Sequence, residues 1–285
     1  LNTSLSDELR YPLKLNQLLL MNVRNKAPMI VERAVDASRM VDQRVHEFGF
    51  RMSYPHEVSP ELREFDGIIC YIDPAGGGLN ADETAYAVTG FLNGNVYALE
   101  VGGIPGGYDK ALLQELAERV SAWKPQTVII EKNMGFGAFR EVFLPIMAAL
   151  HKCAVEDDYV TGQKEKRIIS TLEPVIGRGA LIINESVIER DVSDCARYAA
   201  RDRLTYSLFY QMAKITIDRG SLVHDDRLDA MEGAVRYWQD KLAIDQQESV
   251  ARQREKDYLA MIADPLGKRR NDPPKRGSLF NKYVR

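Results

Sequence analysis

The sequence predicts an α/β fold, a mixed β-sheet flanked by helices. Three observations carry that expectation. Gly67-Ile68-Ile69-Cys70-Tyr71-Ile72-Asp73 and Thr127-Val128-Ile129-Ile130-Glu131 are continuous apolar runs that each end in an acid, the pattern of strands buried on both faces. Between them, Thr84–Phe91 and Val96–Val101 flank Asn93-Gly94-Asn95, a strong hairpin signal because Asn-Gly accepts the positive φ angles of a tight turn. Helical and extended patterns alternate after the hairpin, which implies a sheet with helices on its faces.

In chain order, residues 1–65 look unlike the rest. They are polar and irregular, broken by Pro12, Pro28, Pro55 and Pro60, with a helix expected around Ala34–Glu47. This stretch reads as a linker or lead-in from an upstream domain, packing on the body that follows. The body, residues 66–245, opens with the strand that ends at Asp73, followed by Pro74-Ala75-Gly76-Gly77-Gly78 and the hairpin. Tyr108–Trp123 carries Leu112, Leu113, Leu116 and Val120 at helical spacing. Phe136–Leu150 reads as a helix, Cys153–Val160 as a weaker strand, Lys164–Ile176 as a helix and Leu181–Ile183 as a short strand. Val192–Lys214 and Asp225–Leu242 read as the last long helices. Residues 246–285 read as a basic tail, Pro-interrupted and disordered in composition, with Lys268, Arg269, Arg270, Lys275, Arg276, Lys282 and Arg285.

Composition bounds the function. At 285 residues, with 45% hydrophobic and 28% charged side chains, the chain is long enough for a sizeable core. No apolar run approaches the roughly 20 residues of a membrane span, and Leu1-Asn2-Thr3-Ser4, without a basic stretch ahead of an apolar one, does not read as a secretory signal. Beginning at Leu1, the sequence reads as a piece of a longer chain. Cys70, Cys153 and Cys195 are too far apart for a metal clip and odd in number, which favours a reducing cytoplasm. A net charge of −3 does not announce a nucleic-acid binder; such a binder would need local basic patches.

The acids are the informative residues. Asp73 has a plainer reading as a turn residue ahead of a proline, and Glu131 as an exposed strand-end carboxylate. The glycines after Asp73 lack a following Lys-Ser/Thr, so they are no P-loop; they would let a loop pass close to a substrate backbone, and Asp82 and Glu83 read as solvated hairpin residues. In His224-Asp225-Asp226-Arg227-Leu228-Asp229 the spacings i,i+3 and i,i+4 put Asp225, Asp226 and Asp229 on one face of a first helical turn. One acid there complements the helix dipole, but three repel one another unless a cation neutralises them. Leu228, Met231, Val235 and Trp238 form a core stripe on the opposite face. Strand-end Asp, strand-end Glu and a helix-start Asp cluster are an oxygen-only ligand set suited to Mg²⁺ or Mn²⁺. Two such ions ~3.5–4 Å apart can activate water for phosphodiester hydrolysis.

A polyanionic substrate would need positive charge nearby. Lys164, Lys166 and Arg167 open a helix, where cations oppose the dipole and so want another reason; the plainer reading is a solvated helix start. The basic tail is the second candidate.

At these residues the chain resembles the nuclease domain of viral large terminases, particularly those of T7-like phages. The resemblance rests on Tyr71–Gly78 with Asp82-Glu83-Thr84, on Ile129–Gly135, on Thr161–Arg167 and on His224–Ala230, with Leu5–Leu13 similar to the stretch after the motor domain. It covers roughly residues 65–240. It implies a ribonuclease-H-like fold and cleavage of concatemeric double-stranded viral DNA during genome packaging, in the host cell cytoplasm. It also implies Asp73 and Glu131 as metal ligands, joined by Asp226 and Asp229, with Asp225 as a cap or auxiliary. The portal or procapsid and a small terminase subunit are the partners it implies. No Walker A lysine motif occurs, so the ATP-driven motor is expected on an upstream ATPase domain. Two other readings stay open: another ribonuclease-H-like enzyme such as a junction resolvase, and a non-enzymatic DNA-clamping or procapsid-docking module.

Overall fold

A computed structural model describes residues 10–33, 37–75, 83–106, 109–132 and 137–243. Residues up to Asp240 belong to one compact unit; a second unit, Lys241–Arg285, is described only for 241–243. The glycine-rich loop over 76–82, the turn over 133–136 and the basic tail thus lie outside the described residues.

The strands are β1 (Leu19–Met21), β2 (Lys26–Pro28), β3 (Val31–Glu32), β4 (Met40–Val45), β5 (Phe48–Ser53), β6 (Glu57–Val58), β7 (Leu62–Glu64), β8 (Gly67–Asp73), β9 (Glu83–Leu92), β10 (Asn95–Pro105), β11 (Thr127–Glu131), β12 (Ala154–Asp158) and β13 (Leu181–Asn184). The helices are α1 (Lys110–Ser121), α2 (Gly137–Leu150), α3 (Lys164–Gly177), α4 (Glu185–Cys195), α5 (Leu208–Lys214) and α6 (Asp226–Arg236). Nine strands form one sheet in the order β12-β11-β8-β9-β10-β13-β1-β5-β4, while β2 pairs with β7 and β3 with β6 in two short ladders.

The sheet is mixed, as expected. β8, β11 and β12 run parallel, so their carboxyl ends share one edge, and β9 runs antiparallel to both β8 and β10. The Asn-Gly hairpin forms as its chemistry dictates, with φ of 47° at Asn93 and 77° at Gly94. Alternation along β8 divides the layers. Cys70 and Ile72 point into the apolar cluster shared with Leu113 and Leu116 of α1 and Phe139 and Phe143 of α2, and α6 packs along β8, β9 and β10.

α6 reaches the sheet closely because Gly233 has no side chain: a Cβ there would lie 2.4 Å from Cζ of Tyr71. Its core stripe is as expected, with Leu228, Met231, Val235 and Trp238 all buried and the Trp238 indole N–H donating to Thr89 Oγ1 at 2.9 Å.

Three expectations are corrected. Residues 10–65 do more than pack on the body as a lead-in; they join its sheet: β1 sits between β13 and β5, parallel to both, driven by the fully buried Leu18-Leu19-Leu20 run. The helix expected around Ala34–Glu47 is replaced over 40–45 by strand β4, hairpinned to β5 through His46 at φ 51°. The two-residue period of Val41, Gln43 and Val45, facing Phe48, Phe50 and Met52, wins there because Phe50 stacks on Phe209 at 4.7 Å. The expected helix over Val192–Lys214 breaks into the end of α4, a 3₁₀ turn at Arg203–Tyr206 and α5. The reversal is fixed by buried Asp191, which accepts from Ser207 Oγ at 2.6 Å and Leu208 N at 2.9 Å; Ser207 in turn caps α5.

Candidate metal centre

The parallel pair β8 and β11 delivers Asp73 and Glu131 to one edge, and the first turn of α6 lays Asp229 over them. One carboxylate oxygen from each of these three residues lies within 4.8 Å of the others. All three are buried, at 7%, 4% and 2% exposed, so the plainer reading of Glu131 as a solvated strand end fails. Burial pushes the Asp73 carboxyl well above the usual carboxylate range; Asp229, Glu131 and Asp226 push it further, against the Lys164 ammonium.

Asp226, half-buried, is close enough for its charge to act on Asp73 but is not one of the three converging side chains. Asp225 occupies the N-cap position, yet its side chain makes no capping bond; it accepts from Lys164 Nζ at 2.8 Å instead.

The two cations at the start of α3 find their reason in these acids. Lys164 Nζ lies 2.8 Å from Asp225 and 2.9 Å from Asp229. Burial alone would lower its pKa, but Asp229, Asp73 and Asp225 outweigh burial and hold the ammonium above its ordinary value. Arg167 Nη2 donates to Asp229 at 2.6 Å and Nη1 to Glu232 at 2.9 Å. Their charges are thus engaged inside the site, and of the three basic residues expected to face DNA only Lys166 is exposed.

Sequence reasoning missed a chain of groups that closes behind the trio. Glu232 also accepts from Thr171 Oγ1 at 2.8 Å and Arg236 Nε at 3.0 Å. Arg236 Nη2 reaches Asp158 at 2.8 Å, and the Tyr71 hydroxyl donates to Asp158 at 2.7 Å and contacts Glu131 Oε2 at 3.3 Å. Charge therefore alternates from Asp229 through Arg167, Glu232, Arg236 and Asp158 and returns, by way of Tyr71, to Glu131. Burial would raise the Asp158 carboxyl, but the bonds from Arg236 and Tyr71 lower it overall. The signal was spacing: Asp225, Asp229, Glu232 and Arg236 recur every three or four residues on one helical face.

Glu83 was also misread. It is 1% exposed, and the Arg227 guanidinium holds both its oxygens, while Arg227 Nη1 donates to Asp191 at 2.8 Å. Tyr198 donates to Glu83 at 2.7 Å and stacks on Tyr206, which stacks on His224. This buried assembly fixes the entry into α6 and hence the acids of its first turn.

A family model described as "Terminase Bacteriophage T7, Ribonuclease H-like domain" matches residues 72–181. The large terminase subunit of Enterobacteria phage T3 is 36% identical over 248 residues, 86% of this chain and 42% of that protein, so the chain spans less than half the length of this curated relative. Solved structures that the chain is similar to include a human cytomegalovirus terminase nuclease domain, soaked with Mn and inhibitor-bound, at 12% identity, covering 63% of this chain and 86% of that one with a TM-score of 0.44. Another is a mutant nuclease domain of the large terminase subunit gp2 of bacterial virus Sf6, with manganese and beta-thujaplicinol, at 8% identity, covering 60% and 88% with a TM-score of 0.39.

Proposed function

We propose that this chain belongs to the ribonuclease-H-like family of T7-type phage terminases, as the matched family model and the T3 relative support, and is a divalent-metal-dependent endonuclease acting on double-stranded DNA. The observation that carries the proposal is the convergence of Asp73, Glu131 and Asp229 from three elements far apart in sequence. Buried like charges at that separation repel one another; Lys164 and Arg167 offset part of that repulsion at Asp229, and an all-carboxylate donor set fits the hard ions Mg²⁺ and Mn²⁺.

Asp73, Glu131 and Asp229 would hold the metal, with Asp226 adding negative charge beside them. Bound there, one ion or a pair supplies an activated water and neutralises charge on a scissile phosphate. Tyr71 and Asp158 fix the rotamer of Glu131, and Arg167 fixes that of Asp229. Lys164 balances the acids of α6.

Within a longer protein, the substrate would be concatemeric viral DNA cut during packaging, alongside an ATPase domain, a small terminase subunit and a portal. Incubating the chain with supercoiled plasmid in Mg²⁺, in Mn²⁺ and in excess chelator tests the reading. Nicks and linear product only with metal are expected; activity confined to four-way junctions would favour a resolvase, and no cutting under any condition would leave a docking module.

A further inference from the structure

We propose that the cleft between Tyr11 and the loop over 215–224 binds the phosphodiester backbone of DNA next to the point of cutting, an inference that rests on the nuclease reading above. The cleft encloses about 430 Å³, and its lining includes Arg10, Tyr11, Lys214, Asp218, Arg219 and His224. Three cations against one acid give it a positive balance that the chain as a whole, at −3, lacks.

The cations are held as a recognition surface. Lys214 Nζ lies 5.3 Å from the centroid of the Tyr11 ring and the Arg10 guanidinium 5.7 Å from it, so one aromatic ring orients two positive groups. The charges of Lys164 and Arg167 are engaged by acids of the site; Arg10 and Lys214 lie against the Tyr11 ring instead, and Arg219 acts on Glu165 only through its charge. All three are exposed.

The wall of the cleft is tied to the acid trio at both ends. Gln163 Nε2 donates to Ile217 O at 2.8 Å and Gly220 N to Glu165 at 2.5 Å, fastening the loop to the first turn of α3 on either side of Lys164. At its other end the loop runs through His224, which lines the cleft, directly into Asp225, which Lys164 holds at 2.8 Å. Phosphates recur about every 3.4 Å of axis along each DNA strand. A strand held with one phosphate at the acids would meet this cleft through the loop that runs from His224 into Asp225. Such contacts track the backbone and carry no sequence preference.

The test is a salt titration of binding to a short fluorescent duplex, by anisotropy in chelator, for wild type and for Lys214→Gln with Arg219→Gln. Each phosphate contact contributes about −0.9 to the slope of log K against log[salt]. The double variant is therefore expected to flatten the slope by about two units and to weaken binding on the order of tenfold at moderate salt. Its Mn²⁺-induced thermal shift should match wild type. Arg24→Gln with Lys26→Gln removes the same charge at exposed positions on the β2 side and should leave the slope unchanged. Wild-type affinity and slope in the Lys214/Arg219 variant, or an equal loss in the Arg24/Lys26 control, would overturn the cleft while leaving the nuclease reading intact. A wild type that neither binds nor cuts duplex would overturn both.

Discussion

Arg227 and Glu83, 144 residues apart, form a two-point ion pair with both side chains fully buried, Nε to Oε1 at 2.6 Å and Nη2 to Oε2 at 2.8 Å. The pair ties the first turn of α6 to the start of β9. Arg227→Met leaves Glu83 and Asp191 as buried carboxylates without their shared cation, so it is expected to cost about 3–5 kcal/mol in urea denaturation. Glu83→Leu, which leaves the Arg227 guanidinium paired with Asp191, should cost less than Arg227→Met. An Arg227→Met variant as stable as wild type would contradict this reading of the pair.

The pH dependence of Asp73 has a definite sign. Its folded pKa is raised, by burial first and by Asp229, Glu131 and Asp226 after it, so the folded chain holds that proton more tightly than the unfolded chain. The resulting stability is fully present below the ordinary Asp pKa of about 3.9 and is lost as pH rises through the folded value. In chelator, Asp73→Asn should therefore melt above wild type near neutrality, and the difference should shrink as pH falls into the Asp range. A wild type more stable than Asp73→Asn at neutral pH without metal would contradict it.

Lys164 stands between Asp225 and Asp229 at 2.8 and 2.9 Å. Without its ammonium those acids are less well neutralised, so Lys164→Met should lower the melting temperature in chelator. Mn²⁺ replaces the missing positive charge, so the Mn²⁺-induced rise should exceed that of wild type. An unchanged apo melting temperature with a smaller Mn²⁺ shift would show that Lys164 does not balance these acids.

Tyr71 contacts two acids of the carboxyl edge, Glu131 at 3.3 Å and Asp158 at 2.7 Å. Groups that orient metal ligands from behind typically govern affinity by about 10–100-fold. Tyr71→Phe keeps the ring against Gly233 and removes only the hydroxyl, so Mn²⁺ affinity by calorimetry should fall within that range while the fold persists. Unaltered affinity would place Glu131 outside the ligand set.

The parts of the site that local pattern encodes were legible. Asp73 and Glu131 stood out because each ends an apolar run, and Asp229 because helical spacing put it with Asp225 and Asp226. Partners across the fold were not legible. Glu83 beside a glycine-rich stretch gives no local sign of Arg227, and Lys164 and Arg167 looked like a DNA-facing patch because their acids lie more than fifty residues on. Asp158 hid at the end of a weak strand. β1 was lost among prolines and polar residues because three leucines are too short a run to show a period.

The central claim, that the acid trio carries metal-dependent cutting, is tested most directly by the cleavage of one linear duplex by wild type, Asp73→Asn and Glu131→Gln in Mn²⁺, each variant first matched for thermal stability. Wild type is expected to cut and to stop when chelator is added in excess, while both variants stay folded and leave the duplex intact. Cutting by either variant at the wild-type rate, or cutting by wild type undiminished in chelator, would contradict it.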